Sequence, residues 1–280
     1  MYKKRFFTLL VAALWICLAQ SVYATKRALV IGIGQQEDHR WAKINGDKDV
    51  AYVMDMLKKA GYGDIRTLVN QQATKNGIVT AFKKLTESCS AGDMVYIHFS
   101  GHGQQVTDVN GDEGEKDKFD EAWIPYDAYI RYSPNYKGEK HLIDDEVNVL
   151  LSGIRRRIGS NGKILVVVDA CHSGDSDRGS GVVVRGTSDR FEIPVKKRGS
   201  AMKAPPQWLT LSACTDKQVN YEMTDRAVGK LTYALSTLAG KNLTLERIED
   251  FMERHRASMP QTPLLTGQNK VTYNISDFFK

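Results

Sequence analysis

Apolar residues fall along the chain in two alternating rhythms. Short continuous runs occur at Lys26 to Ile33, Ile65 to Val69, Asp93 to Phe99, Lys163 to Asp169 and Trp208 to Ser212. They are rich in β-branched side chains and bounded by Gly, Asn, Asp or Ser, the pattern of strands buried on both faces. Between them the spacing changes to helical. Asp47 to Ala60 places Val50, Val53, Met54 and Leu57 on one side and stops at Gly61. Thr74 to Leu85, Glu146 to Ile158, Ala227 to Leu238 and Leu245 to His255 repeat the pattern. Alternating strands and helices predict an α/β domain with a mainly parallel sheet and helices on both faces.

Two stretches break the rhythm. Residues 104–143 are polar and acidic, and 173–207 are rich in Gly, Ser and basic residues, with Pro194, Pro205 and Pro206. Long loops in a compact domain are usually functional or disordered. Each follows directly on a strand, the position at which open α/β sheets place ligands.

Composition changes this picture little. At 280 residues, 42% hydrophobic and 26% charged, the chain has average globular usage, which excludes low-complexity and collagenous classes. The net charge is +6, but Lys3, Lys4 and Arg5 supply half of it, so nucleic acid is not an expected partner. Those three residues precede an uncharged stretch, Phe6 to Thr25, with an apolar centre from Leu9 to Leu18 and small residues Val22 and Ala24 before a cut. This pattern predicts a signal peptide over 1–24, a mature domain over 25–280 and export to a periplasmic or extracellular location, with no stable membrane association once it is cleaved. The competing reading is a membrane anchor over residues 6–24, whose length just reaches a bilayer span. Cys89, Cys171 and Cys214 would remain, an odd number in an exported chain, so at least one thiol is expected to stay unbridged.

Two strand ends carry reactive residues. Asp93 to Phe99 runs into Ser100-Gly101-His102-Gly103, and Lys163 to Val168 into Asp169-Ala170-Cys171-His172-Ser173-Gly174. Neighbouring strands would bring an imidazole and a thiol out side by side, with glycines that let backbone N–H groups approach an oxyanion. A third motif, Leu211-Ser212-Ala213-Cys214-Thr215-Asp216-Lys217-Gln218, follows the last predicted strand. Gly32-Ile33-Gly34 after the first strand hints at a phosphate loop, but Glu37 stands where the dinucleotide fingerprint needs Gly or Ala.

Together the three motifs resemble those of the caspase and metacaspase cysteine peptidases, over essentially all of residues 26–275. The spacing of 69 residues from His102 to Cys171 exceeds the roughly 50 of caspases, and Asp169 stands where caspases carry Gln, a departure toward the metacaspase pattern. The resemblance implies a caspase-like fold with a sheet of about six strands, and endopeptidase activity with Cys171 as nucleophile, His102 as general acid/base and the N–H groups of Cys171 and Gly103 as oxyanion hole. It implies that Asp169, Ser100 and Asp49 hold Arg or Lys of a peptide or protein substrate. Asp47 is the alternative to Asp49, because the preceding loop is one residue shorter than the common family form. A bare carboxylate beside the thiol would weaken it, so Asp169 makes chemical sense as a cation holder. No cofactor is required by this dyad. The resemblance adds calcium, with Asp117, Asp144 and Asp145 as its matching ligands, while the position matching the remaining ligand is Arg178, with Asp175 and Asp177 nearby. The acidic loop itself is no EF-hand: Glu113 and Phe119 stand where Gly and Glu are needed. The basic linker 175–207 invites self-cleavage, most of all after Lys197 or Arg198 of the accessible triplet Lys196-Lys197-Arg198 between the prolines. The alternative from another class is a catalytically silent family member acting as a binding or scaffold module.

Overall fold

A computed structural model describes residues 24–111, 119–172, 183–194, 206–215, 218–240, 242–256 and 260–280. Residues 1–23 of the leader predicted over 1–24, together with Asp117, Asp175, Asp177, Arg178, Lys197 and Arg198, lie outside these residues.

Five parallel strands, β1 (Lys26–Gly32), β2 (Asp64–Val69), β3 (Met94–Ser100), β7 (Lys163–Asp169) and β8 (Leu209–Ser212), form the main sheet. A short antiparallel β9 (Leu264–Thr266) completes the order β2-β1-β3-β7-β8-β9. The expected mainly parallel six-stranded sheet is therefore what the chain forms.

Successive strand residues point to opposite faces, and both faces are buried. Ala28, Val30, Tyr96, Leu165 and Val167 pack with helices α1 (Gly46–Lys59), α4 (Lys230–Leu238) and α5 (Leu245–Arg254). Leu29, Ile31, Ile97, Phe99, Val166 and Val168 pack with α2 (Lys75–Ser88) and α3 (Asp144–Ile158). Helix α2 begins where Thr74 accepts the Gly77 N–H, a side-chain cap. Helix α3 carries Asp144, Asp145 and Glu146 in its first turn and Arg155, Arg156 and Arg157 in its last, opposing its macrodipole at both ends.

Gly32 explains the first glycine pair. A Cβ there would lie 2.4 Å from Val50 Cγ2 and 2.5 Å from the Gly46 carbonyl oxygen, so the glycine lets α1 cross close to β1 and is a packing residue.

The 104–143 stretch is more ordered than its polarity suggests. It holds most of a three-stranded antiparallel sheet of β4 (Gly103–Thr107), β5 (Phe119–Trp123) and β6 (Leu142–Ile143). Val106, Ala122, Ile124, Tyr136 and Phe191 form a third small core under it. Strands of two to five residues, interrupted by acids, leave too little alternation to be recognised. Chain order reverses between β1 and β3, the place where an open sheet of this kind opens a crevice at its carboxyl edge.

Candidate active site

Register fixes the reactive pair. Ser100 and Asp169 are the last partners in the β3–β7 ladder, so His102 and Cys171 stand at equal offsets beyond it. Gly103 makes the close approach possible: a Cβ on it would lie 2.6 Å from the Cys171 carbonyl oxygen and 2.7 Å from His172 Cδ2.

The His102 ring is buried and stacks on Trp41 with centroids 5.0 Å apart. Its Nε2 lies 2.8 Å from the Ala42 carbonyl oxygen. A carbonyl only accepts, so Nε2 carries the proton and Nδ1 keeps its lone pair. Nδ1 is buried and has no hydrogen-bond partner among the described residues. Burial pushes the imidazole down to about 4, so it rests neutral and ready to accept a proton.

Cys171 is 2% exposed, and its Sγ donates to the Gln218 carbonyl at 3.0 Å. Cys214 Sγ reaches the same oxygen at 3.5 Å. Contact with Cys171 and burial drive the Cys214 thiol far above its ordinary range, which makes it a poor nucleophile. Cys89, Cys171 and Cys214 are all thiols rather than disulfides.

Behind the dyad lies a buried acid pocket, and the chain's own Arg185 fills it. Its guanidinium is fully buried and takes Asp49 with both terminal nitrogens, Nη1 to Oδ2 at 2.5 Å and Nη2 to Oδ1 at 3.2 Å. Glu222 Oε1 accepts from Nε at 3.1 Å and lies 3.0 Å from Nη2, and Asp169 Oδ1 lies 3.5 Å from Nη1. The Arg185 carbonyl accepts the Cys171 N–H at 2.8 Å.

The sheet's parity explains the pocket. Ser100 and Asp169 share a strand face with Tyr96 and Val167, which turns them toward α1 and α4. Asp49 joins Gly46, Val50, Val53, Met56 and Leu57 on the buried face of α1. Asp47 lies off that face and accepts instead from Asn70 at 3.3 Å, so Asp49 is the pocket residue. Ser100 differs from the expectation. Its hydroxyl donates to Asp49 Oδ2 at 2.7 Å, and it touches the cation only through that carboxylate. His98 backs it, with Nε2 2.9 Å from Ser100 Oγ and Nδ1 3.0 Å from the Tyr96 hydroxyl.

Asp169 accepts from Asn220 Nδ2 at 2.8 Å, Thr232 N–H at 2.8 Å and Thr232 Oγ1 at 2.6 Å. Burial alone would raise Asp169, but Arg185 and these donors hold it below the usual carboxylate range. Burial raises Asp49, with Arg185 offsetting only part of the effect. Gly229 leaves the space for the guanidinium: a Cβ there would lie 2.3 Å from Asp169 Oδ2 and 2.5 Å from Arg185 Nη1. Glu222, Asn220, Gly229 and Thr232 escaped the sequence reading, since none belongs to a recognisable motif, and Arg185 counted there only as one of the basic residues of the linker 175–207.

Taking each ion of such a cluster out of water costs several kcal/mol, and apolar side chains of similar volume would stabilise the fold as well or better. Three carboxyl groups around one guanidinium are therefore better explained as a site that binds a cation.

Of the residues expected to hold calcium, Asp144 and Asp145 open α3 side by side, and Asn110 Nδ2 donates to Asp145. Among the described residues no group of three or more His, Cys, Asp or Glu gathers to hold a metal. No helix among them is long and apolar enough to cross a membrane.

A family model described as metacaspase, peptidase C14 domain, matches residues 26–176, more than half of the chain. The chain belongs to the metacaspase family. It is 32% identical to metacaspase-2 of Arabidopsis thaliana over 161 residues, 55% of this chain and 35% of that protein. Metacaspase-3 of the same plant is 41% identical over 101 residues, 36% of this chain and 24% of that one. Metacaspase-1B of Aspergillus terreus is 30% identical over 158 residues, 53% and 38%. The matched region thus spans 24% to 38% of these relatives' length. The fold likeness reaches further along the chain. A crystal structure of a Geobacter sulfurreducens protein matches with a TM-score of 0.60 at 21% identity, covering 90% of this chain and 98% of that one. Caspase-1 of Spodoptera frugiperda matches with 0.53 at 13% identity, covering 87% and 86%. This metacaspase-family chain therefore has the caspase-like fold that its motifs imply.

Proposed function

We propose that this protein is a cysteine endopeptidase that cuts peptide bonds after Arg or Lys. The observation that carries the reading is Arg185, whose guanidinium sits among Asp49, Asp169 and Glu222 while its carbonyl accepts the Cys171 N–H. That is the pose a residue before a scissile bond must take.

The chemistry follows from the same atoms. His102 Nδ1 takes the Cys171 proton as Sγ attacks the carbonyl carbon, and then gives it to the leaving amine. The Cys171 N–H stabilises the oxyanion. Ile124 N–H donates to the His102 carbonyl, which makes Gly103–Trp123 a pair without its own hydrogen bonds and turns the Gly103 N–H away from β5. That leaves it available as the second oxyanion donor. Water then hydrolyses the thioester, with His102 as base.

Export rests on the leader-like pattern of residues 1–24, and N-terminal sequencing of the mature protein tests it. Calcium dependence rests on family resemblance and the Asp144-Asp145 pair, and rates in chelator and in added calcium test it. Self-processing belongs to the same reading, because the linker offers basic residues to a pocket that accepts them. The deciding assay for activity is the purified full chain on fluorogenic peptides differing only in the residue before the cut, beside Cys171→Ala. Hydrolysis after Arg and Lys but not after Asp or Leu is the expected result. A pattern favouring Asp, or activity that survives Cys171→Ala, contradicts it.

A further inference from the structure

We infer that the Arg185–Gly186 bond is the chain's own substrate, lying uncut across the nucleophile and cleaved by the same molecule that carries it. This rests on the peptidase reading and adds the bond, the route and a consequence for control.

The segment is held on both sides of that bond as a peptide substrate would be. Ahead of it, Val184 and Tyr221 form an antiparallel bridge, Glu222 N–H donates to the Val183 carbonyl at 3.0 Å, and Arg185 N–H donates to the Asn220 carbonyl at 3.0 Å. Adding a strand in this way is a general mode of peptide recognition. Beyond the bond, the chain pairs with β4. Gln104 Nε2 donates to the Asp189 carbonyl at 2.8 Å, Phe191 N–H to the Gln105 carbonyl at 2.8 Å, and Thr107 N–H to the Phe191 carbonyl at 3.0 Å. Phe191 is buried, with its ring centroid 4.3 Å from that of His141 and 5.7 Å from that of Tyr136.

Between these anchors, Arg185 puts its side chain in the acid pocket and its carbonyl on the nucleophile's own N–H. A merely structural Arg185 would need the carboxylates and nothing at Cys171. Placing the side chain, the main chain and the carbonyl together specifies one peptide bond. Lys197 and Arg198 are the more accessible residues by sequence, but accessibility does not set register in a groove.

The step balances without any co-reactant other than water. Cys171 Sγ bonds to the Arg185 carbonyl carbon, the C–N bond to Gly186 breaks, and the thiol proton passes through His102 to the Gly186 nitrogen. Water then releases Arg185 as a carboxylate and restores the thiol. Arg185 lies only 14 positions after Cys171, so loop closure costs little and the bond sits at high effective concentration. Until it is cut, Arg185 fills the pocket against every other substrate. The flanking β7 and β8 pair with each other, so the two products stay together.

The test follows the purified full chain by intact mass, beside Cys171→Ala, at widely different protein concentrations and in both chelator and added calcium. The wild type is expected to give one fragment ending at Arg185 and one beginning at Gly186, with the same half-time at every concentration. Cys171→Ala stays whole. Hydrolysis of an added Arg peptide should start with a lag of that half-time. A wild type that cleaves Arg peptides at full rate while 185–186 stays intact would overturn the inference and leave the peptidase reading standing. So would a first cut after Lys197 or Arg198 with 185–186 uncut. A half-time that shortens with concentration would overturn cleavage within one molecule. A chain that neither cuts itself nor hydrolyses any basic peptide would overturn both readings.

Discussion

The dyad and the acid pocket touch the same two strand ends, yet they are built in opposite ways. His102 and Cys171 need only β3 and β7 in register, a glycine at 103 and one carbonyl, Ala42, to set the tautomer. The pocket draws Asp49 from α1, Asp169 from β7, Glu222 from the chain before α4, Gly229 from the start of α4 and Thr232 from its first turn. The dyad is a local consequence of two short motifs. The pocket is a property of the whole fold. Changes at the dyad should therefore abolish chemistry without touching selectivity, and changes at the pocket should shift selectivity first.

The largest effect sharpens this division. Cys171→Ala and His102→Ala should each lower kcat/KM by about 10³-fold or more on every peptide, because the members of one catalytic unit fail together. Steady-state rates on Arg and Lys substrates check it, and a loss confined to one of them would show that the dyad also reads the side chain. Gly229→Ala comes next. Its methyl would overlap the guanidinium position, and displacement of that order costs roughly 10²-fold on Arg peptides. Once both proteins are cut at Arg185–Gly186, the rate at which iodoacetamide alkylates Cys171 should be the same in each, and a parallel fall in both rates would mean that pocket and dyad are a single unit.

What could be read from the sequence follows the same line. The strand ends with His102 and Cys171 were legible because each lies within a few residues of an unmistakable apolar run. Asp49 was nearly legible, since Gly46, Asp49, Val50, Val53 and Leu57 share one helical face and Asp47 does not. Glu222, Asn220 and Gly229 were not legible. Asn220 and Glu222 are placed by antiparallel pairing with residues 183–185, and Gly229 in turn bridges Glu222, contacts between stretches that no periodicity connects. The β4–β6 sheet was hidden for a related reason, because its strands are held by Phe191 from the linker as much as by their own pattern.

Two smaller effects test finer features. Glu222 accepts from Arg185 Nε and lies against Nη2, and a lysine has neither atom. Glu222→Gln should narrow the preference for Arg over Lys by about tenfold, since a planar fork loses a charged partner that an ammonium does not need. Equal losses on both substrates would remove Glu222 from the discrimination. The smallest effect is on stability. Burial holds His98 and His102 down to about 4 and His141 to about 3, whereas in the unfolded chain they titrate near 6.5. The unfolded state therefore binds more protons in that interval, and stability should fall as pH drops from about 6.5 toward 4. Thermal unfolding across this range checks it, and a flat profile would mean that the three rings take up protons in the fold as readily as in the unfolded chain.

The most direct measurement of the central claim compares two peptides that differ only in having arginine or citrulline before the cut. The side chains have nearly the same shape, but only one carries charge. A pocket lined by Asp49, Asp169 and Glu222 should favour arginine by on the order of 10²-fold or more in kcat/KM, the equivalent of one desolvated charged pair. Equal rates on the two peptides would contradict the account, because the acids would then not be what selects the substrate.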